Sequence, residues 1–544
     1  MTRRRSTRRI RLRPTVDRLE GRALMAYAGS ADPSFGLGGY ASISVSPTAN
    51  SGLAVVSSVA VEPDGSILEA GVAGLSNQTT FGVIHLTAAG AVDAAFGSNG
   101  EADVALPAGA VAQANNTGNP PPVSLLVRPD GSFALAAGFF PSGSFTADDA
   151  VVASFHANGT ADAAFGTNGV TVLGPAGVAV GGATYSVAAL QADGKIILAG
   201  TAPNPQSTNG SRAVALARLG TTGQLDAGYG TNGLATVYNA TQAQITGAGS
   251  TFEFADAVAI DLFGRAVVTA SFTSTVGGGV TSPTRAGEVF RVQANGTRDA
   301  SVSQSGLQAT GATSLNPQGL LIQPDGKILV TGLVVTSSGT TVTGIRSIVA
   351  RLNADGTIDA IAALPPGVNL NQQGGIGLEP DGGVVLTQDG PEDFKVGYRG
   401  TTVAVARLRP NLTPDSTFGR GGVSTLSLPV LPPPTKDGYN QFFVANTVAI
   451  TKAGQVILAG VVDTTLTNIG VVPRTNLVAR LTPTGSAHPG DLDGDGVADP
   501  AVYVPASGSF VILDSKTNAV QSIPFGAPGA GAPADSGIQL GEAQ

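Results

Sequence analysis

The stretch "LQADGKIILAG" (residues 190–200) joins an alternating segment to an apolar run through an Asp-Gly pair. Asp-Gly between two such runs is a strong signal for a β-hairpin. The pattern occurs seven times, and its turn glycines are Gly65, Gly131, Gly194, Gly264, Gly326, Gly382 and Gly454. A unit that recurs about every 65 residues predicts a repeat architecture, and this decides the fold.

Each copy continues with the same parts. A third strand such as "AVALARLGTTG" (213–223) follows the hairpin. An Asp-x-x-Phe/Tyr-Gly turn comes next, at 93–97, 162–166, 226–230 and 415–419. A short fourth strand such as "GVTVLG" (169–174) completes the copy. Four antiparallel strands in a unit of this size predict one blade of a β-propeller.

The two ends of the repeat region complement each other. The stretch "ADPSFGLGGYASISV" (31–45) contains the Asp-x-x-Phe-Gly turn and a fourth strand, with no hairpin before them. The last copy stops after its third strand, at "RLTPTGSAHPG" (480–490). We therefore predict that residues 31–46 supply the outer strand of the seventh blade and close the ring, which removes its open edges.

The copies resemble the bacterial delta-60 repeat family, whose units combine an Asp-Gly-Lys-Ile hairpin with a Leu-Asp-x-x-Phe-Gly turn. The resemblance covers residues 31–485 and implies a propeller, without an established activity. Copy four departs from it with Phe263-Gly264, and the segments at 299–303 and 359–363 lack Phe-Gly.

These observations predict an all-β chain: a seven-bladed β-propeller of four-stranded antiparallel blades, closed by the N-terminal strand, with a short C-terminal β appendage. The predicted domains are a basic, disordered leader at 1–30, the propeller at 31–485, a calcium-loop repeat at 486–525 and a disordered tail at 526–544.

Composition excludes several kinds of site. The 544 residues include no Cys, no Trp and three His, so thiolate chemistry is impossible and imidazole chemistry is scarce. The net charge is −8, although the first 22 residues hold nine Arg. A basic arm on an acidic body is not a nucleic-acid-binding domain, which needs basic residues on a folded face. No stretch is long and apolar enough to span a membrane.

The N-terminal segment "RLEGRALMA" (18–26) resembles the LEPR-XLL segment found near the N-termini of large planctomycete extracellular proteins. Leu19, Glu20, Arg22, Leu24 and Met25 fit the pattern, as does Ala26, whereas Gly21 replaces the usual proline. The resemblance implies an extracellular or cell-surface location.

One position near the end of the third strand is arginine in five of the seven copies. The residues there are His85, Ser154, Arg218, Arg291, Arg351, Arg407 and Arg480. Each arginine could pair with a turn carboxylate or carbonyl group, which we favour, or the set could form a cationic ring for an anionic polysaccharide. The repeated Asp, Phe and Gly of the turn are interpreted as structural residues, because every blade needs them.

Candidate catalytic residues are few, and we expect none to act in catalysis. His85, His156 and His488 have no partners at the spacing of a metal site or of a serine nucleophile. Asp389, Glu392 and Asp393 cluster in a Gly/Pro-rich segment that we interpret as a solvated loop, although a carboxylate pair could perform acid–base chemistry.

The segment "GDLDGDGVADPAVYVP" (490–505) predicts a calcium site. Asp491, Asp493, Asp495 and Asp499 stand at positions 1, 3, 5 and 9 of a loop, with the Val497 carbonyl group at position 7. Hard oxygen ligands at this spacing suit Ca²⁺. The loop resembles FG-GAP or VCBS-type calcium repeats, and it lacks the glutamate of an EF-hand, since position 12 is Val502.

The sequence-based prediction is thus a non-enzymatic, secreted or cell-surface propeller that serves as a structural, adhesion or ligand-binding scaffold and binds Ca²⁺. Its partners would be a cell-envelope or extracellular polysaccharide or a protein, and it would be a monomer. The alternative is a propeller enzyme of the polysaccharide lyase or hydrolase type, or a carbohydrate-binding propeller. Predicted contact surfaces are the variable loops at 203–212, 240–254, 273–285 and 429–442.

Overall fold

The computed structural model describes the chain in segments. These are residues 28–44, 53–73, 80–105, 123–139, 149–174, 180–204, 211–237, 251–274, 286–302, 314–338, 341–362, 364, 368, 375–389, 402–427, 440–465, 475–483, 501–504, 509–513 and 520–524. All regular structure in them is β-strand, as the alternating patterns predict.

Residues Ala28–Gly485 form one compact unit of seven antiparallel blades, of which the third and fourth are joined in one sheet. Blade I contains β2 (Leu53–Val61), β3 (Ile67–Ala73), β4 (Thr80–Leu86) and β5 (Glu101–Ala105); blade II contains β6 (Val123–Val127), β7 (Phe133–Phe139), β8 (Asp149–Phe155) and β9 (Val170–Leu173). Blade III contains β10 (Thr184–Leu190), β11 (Ile196–Pro203), β12 (Arg212–Leu219) and β13 (Leu234–Val237); blade IV contains β14 (Thr251–Ile260), β15 (Ala266–Ser274) and β16 (Ala286–Val292).

The remaining blades follow the same order. Blade V contains β17 (Ser314–Ile322), β18 (Ile328–Ser338), β19 (Thr341–Leu352) and β20 (Ile358–Ile361); blade VI contains β21 (Ile376–Leu378), β22 (Val384–Asp389), β23 (Thr402–Leu408) and β24 (Val423–Ser427). Blade VII contains β25 (Asn440–Ile450), β26 (Val456–Thr465), β27 (Thr475–Leu481) and, as its outer strand, β1 (Tyr40–Ser44). The predicted seven-bladed fold is confirmed.

The predicted closure by the N-terminal strand is also confirmed. Strand β1 pairs antiparallel with β27, with Tyr40 opposite Ala479 and Ser44 opposite Thr475. Ahead of it, the Asp32 N–H donates to the Arg480 carbonyl oxygen. We call residues 28–44 the closing segment, and the contact between blades VII and I the closing interface.

The core is divided among the contacts between blades. Among the described residues there are seven hydrophobic clusters, and each combines one face of a blade with the facing side of the next. The cluster between blades VII and I includes Phe35 and Ala41 of the closing segment. A ring in which every interface is apolar has no exposed end, and this is why the closing segment matters for stability.

The copies that depart from the repeat differ locally. In blade V, β20 follows the turn after β19 directly, because this copy lacks the Phe-Gly of the usual turn. Blade IV shows three strands among the described residues. Its inner strand β14 also meets β12 of blade III through one parallel pair, Arg212 with Phe252.

The C-terminal part is a second unit with three described strands. They are β28 (Ala501–Val504), β29 (Ser509–Leu513) and β30 (Val520–Pro524), and they form an antiparallel meander. This is the predicted short β appendage.

Candidate functional site

The Asp-x-x-Phe-Gly turn is a contact between blades. In blade I, the Phe96 ring lies beneath the turn glycine Gly159 of blade II, where an added Cβ would come within 2.8 Å of Phe96 Cε1. Gly97 adopts φ +50° and donates its N–H to the Asn158 carbonyl oxygen. The same geometry joins Phe35 to Gly90, Phe165 to Gly223 and Phe418 to Gly29. The structural interpretation of the repeated Phe and Gly is confirmed.

The arginines near the end of the third strand also join neighbouring blades. Arg218 donates from Nε to Asp226 Oδ2 (2.9 Å) and from Nη1 to the Ala294 carbonyl oxygen of blade IV (2.5 Å). The same two-sided contact is made by Arg291 to Asp299 and Ala354, by Arg351 to Asp359 and Pro410, by Arg407 to Glu379 and Pro483, and by Arg480 to Asp32 and Ala88. Their donors are used within the fold, so the structural interpretation is confirmed and a cationic ring for a ligand is not supported.

Asp299 shows the electrostatic consequence of this arrangement. Burial would raise the pKa of its carboxyl group, but bonds from the hydroxyl and N–H of Ser301 and from Arg291 outweigh burial and hold this pKa at about 2. The carboxylate therefore stays charged at neutral pH and keeps the arginine in place.

Blade I replaces the arginine by a histidine. The ring of His85 lies between two carboxylates, with Nε2 2.9 Å from Glu62 Oε2 and Nδ1 3.1 Å from Asp93 Oδ2, and it stacks on Phe96. Burial lowers the pKa of His85, but the two carboxylates outweigh this and raise it. Within the described part of the chain, no group of His, Asp and Glu has the arrangement of a metal site. Both carboxylates belong to blade I, so His85 replaces the contact of the arginines with a turn carboxylate.

Blade IV carries charges where the other blades do not. Glu288 pairs with Ala270 on β15, and the residues at this register in the other blades are Gly82, Val151, Ala215, Ile348, Ala404 and Leu477. The backbone of Arg298 forms an isolated β-bridge with Val292. The residues at the same position in the other blades are Ala31, Val92, Ala161, Leu225, Ile358 and Pro414. A charge present in every blade follows from the architecture, whereas a charge confined to one blade requires another explanation.

Glu253 belongs to the same face of blade IV. Ala255 and Phe290 both pack against blade III, and the alternation of β14 and β16 places Glu253 and Glu288 on that side as well. Glu253 is 7% exposed, and Glu288 and Arg298 are partly exposed. We call Glu253, Glu288 and Arg298 the blade IV group.

The three charges of the blade IV group act on one another. Burial lowers the pKa of the Arg298 guanidinium, and the carboxylates of Glu288 and Glu253 partly offset this. The group thus contains two carboxylates and one cation in a partly buried setting, where electrostatic interactions are stronger than in water. Alignment of the seven copies on the repeated arginine position near the end of the third strand would have revealed Glu288 as the charged residue in an otherwise uncharged column.

The other predicted candidates take no part in this group. Asp389 ends β22 in blade VI, while Glu392, Asp393 and His488 lie outside the described residues. His156 lies in a turn of blade II. The predicted calcium ligands Asp491, Asp493, Asp495, Val497 and Asp499 also lie outside the described residues. The described residues contain no apolar helix of membrane-spanning length.

Comparison with known proteins supports the fold. Residues 191–229 and 323–360 match the model of a family described as a domain of unknown function (DUF5122) beta-propeller. These segments begin at the hairpin turn and include the second and third strands of blades III and V. No curated protein matches the chain.

Several solved structures are similar in fold. Polysaccharide lyase Uly1 is 9% identical, with a TM-score of 0.45 over 86% of this chain and 94% of its own. An ulvan lyase of family PL25 is 10% identical, with a TM-score of 0.42 over 84% and 95%. A thermostable family-43 glycoside hydrolase is 10% identical, with a TM-score of 0.30 over 58% and 96%.

The sequence-based prediction of a non-enzymatic protein is corrected by these comparisons. That prediction rested on histidines without partners at the spacing of a metal site or a serine nucleophile and on the interpretation of Asp389, Glu392 and Asp393 as a solvated loop, whereas the structures compared above are those of propeller enzymes. Likeness at this level shows the fold alone. The prediction of a non-enzymatic protein therefore no longer stands, and no reaction is assigned to this chain by the comparison.

Proposed function

We propose that the chain is a propeller enzyme that cleaves polysaccharides, with the blade IV group as its reactive site. The observation that carries this proposal is the presence of Glu253, Glu288 and Arg298 on one face of one blade. Two carboxylates are the usual equipment for cleaving a glycosidic bond, one as proton donor and the other as base or nucleophile.

The different exposure of the two carboxyl groups suggests their roles. A carboxyl group shielded from water suits the proton donor, and one nearer to solvent suits the base that meets water or substrate. Glu253 is 7% exposed and Glu288 is partly exposed. We therefore assign Glu253 as the general acid and Glu288 as the base, with Arg298 as a positioning residue that acts through both carboxylates.

The place of the group along the chain supports the same function. Glu253 closes the predicted contact loop 240–254, and Glu288 follows the loop 273–285 after two residues. Arg212, whose backbone pairs with Phe252, ends the loop 203–212. Two of the four predicted contact loops therefore end at or close to a member of the group along the chain, and a third ends at Arg212, the register partner of Phe252.

Replacement of either carboxyl group tests the proposal. The full-length protein is incubated with neutral, uronate-containing and sulfated polysaccharides, and new reducing ends are measured. We expect cleavage of at least one class, and a loss of about 100-fold or more in Glu253→Gln and in Glu288→Gln, because general acid and base catalysis each contribute that much. An unsaturated product distinguishes elimination from hydrolysis.

The control is Glu101→Gln, which changes a carboxyl group on the outer strand of blade I. Thermal melting of all variants checks that they are folded. Absence of cleavage across the three substrate classes, or equal cleavage by Glu253→Gln, Glu288→Gln and the control, would refute the assignment.

We further propose that the protein works outside the cell or at its surface, in contact with envelope or extracellular polysaccharide. The LEPR-XLL resemblance at 18–26 supports this location. A polymeric substrate is also found there. Fractionation of the cells that make the protein would test it, and recovery from the cytoplasm alone would contradict it.

We also propose that the C-terminal loop binds Ca²⁺ through the carboxylates of Asp491, Asp493, Asp495 and Asp499 and the Val497 carbonyl group. Strand β28 begins two residues after Asp499, as expected of a loop that leads into a strand.

Calorimetric titration of the full chain should give a dissociation constant of about 10⁻⁴–10⁻³ M. Asp493→Asn should weaken binding by at least about tenfold, since it removes one charged ligand. Asp535→Asn, in the C-terminal tail, is the control, and equal binding by both variants would contradict the proposal.

A further inference from the structure

The closing interface contains an unusual carboxyl group, that of Glu69 on β3. Glu69 stands four residues after the turn glycine Gly65. The residues at the same position in the other six blades are Leu135, Leu198, Val268, Val330, Leu386 and Leu458. All seven face the preceding blade. An acid therefore replaces an aliphatic residue in one interface of seven, and that interface is the one that closes the ring.

The surroundings of Glu69 are apolar. Its side chain is fully buried, and it is paired in register with Val59 on β2 and Ile84 on β4. The facing blade contributes Ile457 and Ala459 from β26 to the same cluster. Neither carboxylate oxygen has a hydrogen-bond partner among the described residues. A buried carboxyl group without partners is strongly disfavoured in its charged form.

Among the described residues, no cation lies opposite Glu69 to compensate it. Arg480 of β27 lies in this interface, but its guanidinium is bound to Asp32 and to the Ala88 carbonyl oxygen at the turn end. On β4, His85 is on the opposite face and is bound to Glu62 and Asp93. The charged residue of β26, Asp463, lies beyond Val461 along the strand and pairs in register with Phe442 of β25.

Among the neighbouring strands that the structure describes, β5 adds carboxyl groups: Glu101 is opposite Ile84, and Asp103 is opposite Gly82. Burial and the Glu101 carboxylate raise the pKa of Asp103 to about 6. Strands β2, β25 and β1 contain no Asp, Glu, Lys, Arg or His. Asn476 of β27 is neutral, and its amide is bound to the N–H and carbonyl groups of Leu53. Burial alone accounts for the raised pKa of Glu69, which is about 8.

We propose that Glu69 is a proton-dependent switch in the ring closure: its neutral carboxyl group lets blades VII and I pack, and its ionisation opens the closing interface. The closing segment is the part of the ring that this opening would release, because β1 is held to the ring by β27 and by the packing of Phe35 and Ala41 in the same cluster. The six other interfaces have an aliphatic residue at this position and would stay packed.

The direction of the effect follows from linkage. Below the ordinary pKa of 4.5, Glu69 is protonated in both the closed and the open state, and pH has no effect through it. Between 4.5 and about 8 the open state releases a proton that the closed state keeps, so opening becomes easier as pH rises. Above about 8 both states are ionised, and the effect levels off.

Hydrogen exchange of the full-length protein tests the switch between pH 5.5 and 9.5. After correction for the intrinsic exchange rate, the opening constant of amides in β1 and β27 should rise by up to about tenfold per pH unit and then level near pH 8. In Glu69→Gln and Glu69→Leu this dependence should disappear. Glu69→Leu restores the residue found in blades II, III, VI and VII, and it should fold even if Glu69→Gln does not.

Two outcomes would overturn the proposal. One is a pH dependence in β1 and β27 that persists in Glu69→Leu. The other is a wild-type response of equal size in the strands of blades III and IV, which would indicate a general effect of charge. Asp103→Asn is the matched control, because it removes the other carboxyl group of blade I whose pKa is raised, by burial and by the Glu101 carboxylate, to about 6, and it should respond like the wild type.

Discussion

A chain shortened to begin at residue 47 is expected to melt far below the full-length protein. The change removes β1, which pairs with β27 over five residues, and it leaves the backbone groups of β27 that point toward β1 without partners. It also removes Phe35, which is fully buried in the closing interface. Loss of a buried Phe alone costs about 3–5 kcal/mol, so we expect a total loss of at least about 5 kcal/mol.

The matched control begins at Ala28 and keeps every described contact of the closing segment, including the bond from the Gly29 N–H to the Thr482 carbonyl oxygen. It should melt like the full-length protein, as followed by circular dichroism. If the chain that begins at residue 47 melts with it, the closing segment does not stabilise the ring. A synthetic peptide of residues 28–46 should restore the melting temperature of the shortened chain.

The second large effect is expected from Gly200→Ala in blade III. An added Cβ would lie 1.8 Å from the Thr184 carbonyl oxygen and 2.7 Å from the Tyr185 Cα atom, on the neighbouring inner strand. The register of β10 shifts immediately after Tyr185, so the two backbones approach closely here. Both contacts are to backbone atoms, which cannot move aside without disturbing the ladder. We expect a loss of about 3 kcal/mol in the free energy of unfolding.

Gly220→Ala in the same blade is the control. The nearest atom to its added Cβ is the Gln224 carbonyl oxygen at 3.7 Å, an ordinary contact. The variant should stay within about 0.5 kcal/mol of the wild type. Equal midpoints for the two variants in urea denaturation would show that the close approach at Gly200 does not limit the packing of the inner strands.

Much of the fold was predictable because its signals are local. The turn glycines, such as Gly194 at φ +82°, occupy a conformation that other residues rarely adopt. The Asp226 side chain binds the N–H of Gly228, two residues on, and closes its own turn. Even the ring closure was predictable, since the closing segment and the last copy are the two parts of one repeat.

The partners of the repeated arginines were less predictable. That Arg218 pairs with a carboxylate agrees with the expectation from sequence, but its second partner is the Ala294 carbonyl oxygen, 76 residues further along the chain. Backbone carbonyl groups carry no sequence signature. Only the packing of one blade on the next identifies them.

The candidate site was missed for a related reason. Glu253, Glu288 and Arg298 are separated along the chain and fit no known motif. They become a group because strands β14 and β16 place Glu253 and Glu288 on one face of blade IV and Arg298 is opposite Val292 of β16. The sequence-based search looked for residues close together in the chain, such as Asp389, Glu392 and Asp393, and so favoured a loop.

The blades, their number and the way in which the ring closes follow from the order of residues along the chain, because turn chemistry and strand alternation act between residues a few positions apart. Tertiary structure alone decided which polar groups matter. Glu69 is one acid among many in the sequence, and it becomes unusual because Ile457 and Ala459, almost 400 residues away, surround it without offering a hydrogen bond. The state of a buried side chain depends on the surface that covers it, and in a propeller that surface belongs to the neighbouring blade.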